Sequence, residues 1–418
     1  MKRTLVFLLV FGLGAVVSAQ DLGIFEEVTA GNFFGLGARQ MAMGGAGIAS
    51  SMDGAAMYYN PAALARIYRI EFQLGLTHQK FSNESSQNPG RYAGFNSLLN
   101  KADIDQTKTR FGTINLTVPV PTYRGSLVLG FGVNRIMSFD RAAVYHLIDD
   151  SLGNRIDDYG KEFETGSIYL YTAAAGIDVS PNVSLGLALN VYSGKDKFNY
   201  TEIFSDALRP SSDYAYESET AEDYIGASVK GGLLARPNAQ LAIGLTAESP
   251  LDWQIKQTFT DFEGLSEVEY DLNRPFIFGA GVAFTPGRLT LTGDAEYADW
   301  SQMSYNDNPD MEIYNDSISL LYRDVINLRA GAEYQFPAQG LAVRAGVFSN
   351  PLPYDSKFIK DDQAGYSLGV GWLIDKVIML EGAFVHGGFT RIYTGPNGLP
   401  TTAEDKYSRV YVTMSYRY

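Results

Sequence analysis

From Ile70 onward, apolar and polar residues alternate along most of the chain. Ile70, Phe72, Leu74 and Leu76 stand against Glu71, Gln73, Gly75 and Thr77. Val183, Leu185, Leu187, Leu189 and Val191 stand against Ser184, Gly186, Ala188 and Asn190. Leu289, Leu291 and Ala295 oppose Thr290, Thr292, Asp294 and Glu296, and Ile326, Leu328, Ala330 and Tyr334 oppose Asn327, Arg329, Glu333 and Gln335. A period of two means a strand with one dry face and one polar face. About fourteen such segments lie near 67–80, 111–120, 126–138, 166–179, 182–193, 224–235, 239–248, 275–285, 288–298, 323–336, 340–349, 365–374, 377–388 and 409–418. Most reach the roughly 9–11 residues that a tilted strand needs to cross a membrane.

The links between these segments are of two kinds. Every second one is tight and turn-rich: PTYRG, SPN, RPNA, TPG, PAQG and ID. The others are long, polar and often acidic, such as DDSLGNRIDDYGKEFETG and DALRPSSDYAYESETAEDY. An outer-membrane barrel sorts its links this way, with short periplasmic turns and long external loops. A soluble sandwich has no reason to. The predicted fold is therefore all-β: a transmembrane antiparallel β-barrel of about fourteen strands over residues 67–418, seated in an outer membrane with its apolar face in lipid. In hydrocarbon every backbone N–H and C=O needs a partner, and a closed sheet supplies them. Phe284, Tyr334, Phe336, Tyr416 and Tyr418 near strand ends suit an interfacial aromatic girdle.

The first residues, MKRTLVFLLVFGLGAVVSAQ, read as a secretory signal peptide over 1–19 with cleavage after Ala19. No later run is long and apolar enough for a membrane-spanning helix. With no cysteine there is no disulfide framework and no thiolate metal site. A formal net charge of −14 argues against nucleic acid as a partner.

Residues 20–66 do not alternate. They hold FFGLGARQMAMGGAGIASSMDGAAMYYNPAALARI, rich in small residues. A barrel of about fourteen strands has a lumen that wall side chains alone do not fill. The segment is too apolar for a solvated linker, so it is expected to fold into the lumen as a plug. Here the sequence resembles the N-terminal hatch of the FadL-type family of outer-membrane transporters for long-chain fatty acids and aromatic hydrocarbons. The motif is Gly44, Gly45 and Ala46, then Ala49, Asp53, and Asn60, Pro61 and Ala62. It departs from the family pattern at an acidic pair, where Met52 precedes Asp53. The resemblance implies a channel that takes hydrophobic molecules from outside, holds them beside the hatch and releases them sideways through the wall. No enzymatic activity is expected.

Polar-face parity turns Lys230, Asp294, Glu296, Arg329, Glu333 and Arg344 inward. If Phe336 faces Leu341 across PAQG, Glu333 lies opposite Arg344, and an opposite-charge pair across strands stabilises by roughly 0.2–1 kcal/mol. Two readings stand: these charges neutralise one another and tie the plug to the wall, or Arg329, Arg344 or Lys230 binds a ligand carboxylate, which an arginine fork matches. In the third strand, Gly130, Gly132 and Asn134 precede a point where the pattern aims Arg135 outward. Glycine inside a strand often marks a bend, and the resemblance implies that a kink in an early strand opens the lateral exit, so these three are lateral-gate candidates. The alternative is a plain strand end whose Arg135 reaches up to the interface. A groove lined by Leu251, Trp253, Phe259, Phe262 and Leu265 is the expected entry for a hydrophobic ligand. His78, His146 and His386 sit beside no nucleophile, so hydrolysis finds no support; no cofactor or metal site is expected. The expected partners are a hydrophobic small molecule and the lipid and lipopolysaccharide around a monomeric barrel. A secretion component of type IX kind, binding exported proteins through its outer loops, is the alternative function.

Overall fold

The structure, a computed structural model, describes residues 35–87, 101–149, 155–394 and 400–418. The signal peptide expected at 1–19 and the first part of the 20–66 segment lie outside the described residues. The strands are β1 (Glu71–Gln87), β2 (Lys101–Val120), β3 (Leu127–Ser138), β4 (Arg141–Asp149), β5 (Ile156–Ser180), β6 (Val183–Asp206), β7 (Tyr214–Ala235), β8 (Leu241–Glu248), β9 (Leu251–Asp261), β10 (Gly264–Arg274), β11 (Ile277–Phe284), β12 (Leu289–Asp299), β13 (Ser304–Asn306), β14 (Asp324–Phe336), β15 (Leu341–Ser349), β16 (Ile359–Ile374), β17 (Ile378–Thr394) and β18 (Pro400–Arg417).

All eighteen belong to one sheet, and fourteen of them close a ring. Around it run β1, β2, β3, β5, β6, β7, β8, β11, β12, β14, β15, β16, β17 and β18, each antiparallel to the next. The last pairs with the first, from Glu71↔Arg417 to Gln87↔Thr401. Closure leaves no edge at the seam, as a sheet in hydrocarbon requires. The faces follow the alternation. Phe72, Leu74, Leu76, Val410, Val412 and Met414 are exposed on the outside, while Gln73, Thr77, Thr413 and Ser415 are buried inside.

The fourteen ring strands are the fourteen segments read from the sequence, but several of them, among them β2, β5, β6, β7 and β18, run much further. β5, β6 and β7 have 25, 24 and 22 residues. The links read as loops also hold β4, β9, β10 and β13. The cause is physical: above the lipid both faces of a strand meet water or polar neighbours. In β6, exposed Lys195 and Lys197 flank buried Asp196, so the apolar alternation fades while the ladder continues.

Residues 35–67 pack against inward-facing residues of the ring strands. They form two single-turn helices, α1 (Ala38–Met41) and α2 (Ala56–Tyr59), and a 3₁₀ turn over Pro61–Arg66. Ala38, Met41, Ala42, Met43, Ala49, Ala56, Met57 and Leu64 have no accessible surface. Their neighbours come from all round the wall. Ala49, Met57, Ala62 and Leu64 pack with Val128, Ala174, Ala188, Leu234 and Ala283, whereas Ala38, Met41 and Ala42 pack with Phe348, Ala383 and Tyr411. The backbones come close: a Cβ on wall Gly346 would strike Gly44 N and the Met43 carbonyl carbon.

Leu189, half-exposed on the outer face of β6, tests the lipid assignment. Leu189→Arg is expected to destabilise the barrel by about 2–4 kcal/mol, the range for a cation near the bilayer midplane. Reversible urea unfolding into lipid vesicles reads this directly.

Candidate transport path

The small-residue motif gives the inner segment its hydrogen-bonding surface. Gly44 and Gly45 both take positive φ, 72° and 82°, which is strained for any residue with a Cβ. This turn directs successive amides at the wall. Gly44 N donates to Ser367 Oγ at 2.9 Å, and Gly47 N and Ile48 N both donate to Asp294 Oδ2 at 2.6 and 2.8 Å. Asn60 works in three directions. Its Oδ1 accepts from Ala62 N at 3.0 Å, capping the turn that begins with Pro61, and its Nδ2 donates to Ile48 O at 2.9 Å and to Leu233 O on β7 at 3.1 Å. Asp53 stays within the segment, accepting from Gln40 Nε2 at 2.9 Å and Ala55 N at 3.1 Å.

Glu333 and Arg344 pair as parity arranges them, and the inward charges recruit further partners. Glu333 faces Arg344 across the hairpin, with Arg344 Nε 2.6 Å from Glu333 Oε2. Arg39, on α1, shares the same carboxylate at 2.9 Å and also donates to Ser50 O at 2.8 Å. Arg344 reaches Glu381 at 2.9 Å. Arg329 pairs with Glu296 at 3.2 Å, and its Nε donates to Asn350 at 3.3 Å. Lys230 lies 3.6 Å from Glu248, which also binds Arg274 at 2.8 Å. Each carboxylate-binding candidate thus already faces a wall carboxylate. Arg39 carried no signal of its own: a single arginine before GGA looks like any surface cation.

Above the inner segment, toward the long loops, lies a dry aromatic cluster. It includes Phe139, Tyr192, Tyr224, Trp253, Tyr270, Tyr305, Tyr322 and Tyr354, with Met303 and Met311. Tyr58, on α2, packs against it from below and has Lys230 Nζ 5.2 Å from its ring. The expected entry groove is divided. Leu251 and Trp253 belong to this cluster, but Phe262 and Leu265 are 80% and 66% exposed at the tip of the β9–β10 hairpin. Alternation within a water-exposed hairpin separated residues that the sequence reading had grouped.

The ladder between β2 and β3 is short. β2 pairs with β3 only from Val120↔Leu127 up to Thr113↔Asn134, although β2 continues to pair with β1 as far as Lys101. At the same height the β1–β2 register shifts beside Gly75, and the β3–β5 register shifts between Arg135 and Met137. The chain then turns inward at Phe139 and Asp140, and β4 replaces β3 as the neighbour of β5. The free edge of β2 overlaps β5. Gln106 Nε2 donates to Glu164 O at 2.9 Å, and Lys108 Nζ lies 5.7 Å from the Phe163 ring.

The gate candidates are placed differently from the reading. Gly130 and Gly132 lie below the break: a Cβ on Gly130 would strike the side chain of Met57 from the inner segment, and one on Gly132 would strike Asn115 Oδ1 of the neighbouring strand. They leave room for those side chains, and the irregularity comes after them. Asn134 is the last residue of β3 paired with β2. Arg135 does not point outward: it is 1% exposed, with Nε donating to Ser167 at 2.8 Å and Nη2 to Asp140 at 2.9 Å. The register shift beside it breaks the parity on which the outward expectation rested.

Comparisons with known proteins agree with this architecture. Residues 26–394 match the model of the family described as outer membrane protein transport protein (OMPP1/FadL/TodX). Among solved structures, a Pseudomonas aeruginosa FadL homologue is 15% identical with a TM-score of 0.63, covering 91% of this chain and 98% of that one. The toluene transporter TodX of P. putida is 14% identical with a TM-score of 0.59, covering 92% and 99%. The CymD monoaromatic hydrocarbon channel is 15% identical with a TM-score of 0.57, covering 93% and 98%. No curated protein matches.

Glu333 is the carboxylate shared by Arg39 and Arg344. Glu333→Gln leaves two buried guanidiniums short of a counter-charge and is expected to cost about 3–5 kcal/mol. The loss should appear as a lower unfolding midpoint and as new protease cleavage between residues 35 and 67, with the barrel still resistant to SDS before heating.

Proposed function

The chain belongs to the OMPP1/FadL/TodX family of outer-membrane transport proteins, and from that premise we propose that it admits small, uncharged hydrophobic molecules passively and releases them sideways through the wall. The supporting observation is one juxtaposition. A dry aromatic mouth stands directly above a lumen occupied by residues 35–67, beside the one stretch where β2 loses its ring partner. Residues 35–67 act as a hatch that denies water and ions a straight path. The molecule therefore turns aside at the hatch, and the break between β2 and β3 is its way out.

The charges favour an uncharged cargo. Lys230, Arg329 and Arg344 are all held by carboxylates, so a fatty-acid head group would have to displace a buried acid from its arginine or lysine. Displacement leaves that acid without its counter-charge, which is costly. Stacked and edge-on aromatic rings instead offer faces to a flat apolar molecule. Tyr192 meets Trp253 at 5.3 Å and Phe139 meets Tyr224 at 5.6 Å. Two of the structurally similar proteins carry toluene or monoaromatic hydrocarbons in their descriptions, which points the same way.

Mass spectrometry of apolar molecules extracted with the protein in mild detergent, together with uptake of labelled toluene and labelled oleate, tests this reading. Enrichment and uptake of neutral aromatics, with oleate uptake at background, are expected. Oleate as the preferred cargo would overturn the uncharged assignment. Copurification of exported polypeptides alone, or single-channel conductance at the level of an open porin, would overturn uptake itself.

A further inference from the structure

Where β2 parts from β3, one arginine spans the opening. Arg110, on the inner face of β2, donates from Nε to Asp140 Oδ2 at 2.8 Å and from Nη2 to Asp140 Oδ1 at 2.5 Å. The same Nη2 reaches Thr165 Oγ1 on β5 at 2.7 Å. Asp140 is fixed from the other side by Arg135 at 2.9 Å and by Thr165 Oγ1 at 2.8 Å, and its backbone carbonyl accepts from Gln79 at 3.0 Å. The guanidinium thus joins the free edge of one wall to the hinge and strand of the other. On the outer face a groove of about 1020 Å³ starts at Arg110, Thr165 and Gly166 and runs past Tyr169, Tyr171 and Ile225. The arginine side chain is about one-third exposed, while that of Asp140 is buried.

We infer that Arg110 is the bolt of the lateral exit, and that displacing its fork from Asp140 and Thr165 sets the largest molecule that gets out. The inference rests on the lateral-release reading and adds a specificity-determining residue to it. A small ring slips past a planar fork that pivots on one carboxylate. A wider molecule has to break both Asp140 bonds and the Thr165 bond together. Asp140 holds its position without Arg110, because Arg135 and Thr165 still bind it. Removing the bolt therefore widens the opening without releasing the hinge.

The test uses the full-length protein in proteoliposomes and follows transfer of toluene and of pyrene into the bilayer. The chain has no cysteine, so introduced thiols react alone. Arg110→Gln is expected to raise pyrene transfer on the order of fivefold relative to toluene, the factor that about 1 kcal/mol represents. Arg110→Lys keeps the charge but not the fork, and should fall between. A second protein carries Lys108→Cys and Phe163→Cys, joined by a short bis-thiol reagent. This staple should stop transfer of both probes. Transfer that continues with the staple in place would sink lateral release. A staple that blocks, combined with Arg110→Gln and Arg110→Lys proteins that keep the wild-type pyrene-to-toluene ratio, would sink the bolt alone. Should Arg110→Gln fail to give an SDS-resistant barrel, Thr165→Val removes the third tether, and an unchanged ratio there counts against the bolt equally.

Discussion

The whole structure follows from the need of every backbone amide to find a partner where no water reaches it. In lipid the strands meet that need by closing on themselves, and closure fixes a second problem. Fourteen strands enclose more space than their inward side chains fill. The inner segment meets the same requirement in the opposite way. It has little regular structure of its own, so its amides borrow acceptors from the wall: Ser367 for Gly44, Asp294 for Gly47 and Ile48, Thr413 for Ala38, and Glu71 for Gly54. Its small residues follow from this arrangement, since an amide reaches a wall acceptor only when no side chain holds the two backbones apart.

The same closeness explains the buried charges. Arg39, Glu333, Arg344 and Glu381 form a chain of ion pairs with almost no exposed surface. Such a network is weak evidence for stability, because desolvation cancels much of the attraction. It is better evidence for position. A segment held only by apolar contacts would slide against an apolar wall, whereas a guanidinium with one buried carboxylate has one resting place. The opposite flank of the segment, from Ala56 to Ile67, is dry and packed on alanines, with Asn60 as its polar anchor. One side fixes orientation and the other supplies burial.

What was legible in the sequence was what lipid enforces. The fourteen strands, their short turns and the Glu333–Arg344 pairing all depend on strict alternation, and alternation holds wherever one face meets hydrocarbon. Above that band the signal fades for a physical reason. Asp196 is buried and Lys195 exposed with no apolar residue to mark the difference, so the upper halves of β5 to β7 and the whole of β9 and β10 read as loops. Parity aims Arg135 outward only while the ladder is regular, and the register shift beside it moves the side chain inward. Gly130 and Gly132 read as a bend; a sequence does not say that Gly130 makes room for a methionine about seventy residues earlier and Gly132 for an asparagine on the next strand.

The backbone requirement also decides how high a wall of this kind is allowed to open. The β2–β3 ladder ends eight residue pairs above its turn, and the short ring strands β8 and β11 are also eight residues long. At the usual rise and tilt, eight residues climb about 20 Å, close to the top of an apolar band roughly 25 Å tall. Below that height an unpaired strand edge would face hydrocarbon at several kcal/mol for each orphan group. Above it, head groups and water satisfy the edge, and side chains such as Arg110 and Gln106 reach across to β5. A slit at that height, on the lateral-release reading, delivers an apolar molecule into the outer leaflet and not toward the periplasm. On that reading the opening sits where the membrane itself first stops demanding a closed sheet, so no special strand chemistry is needed to hold it apart, only something to keep it shut.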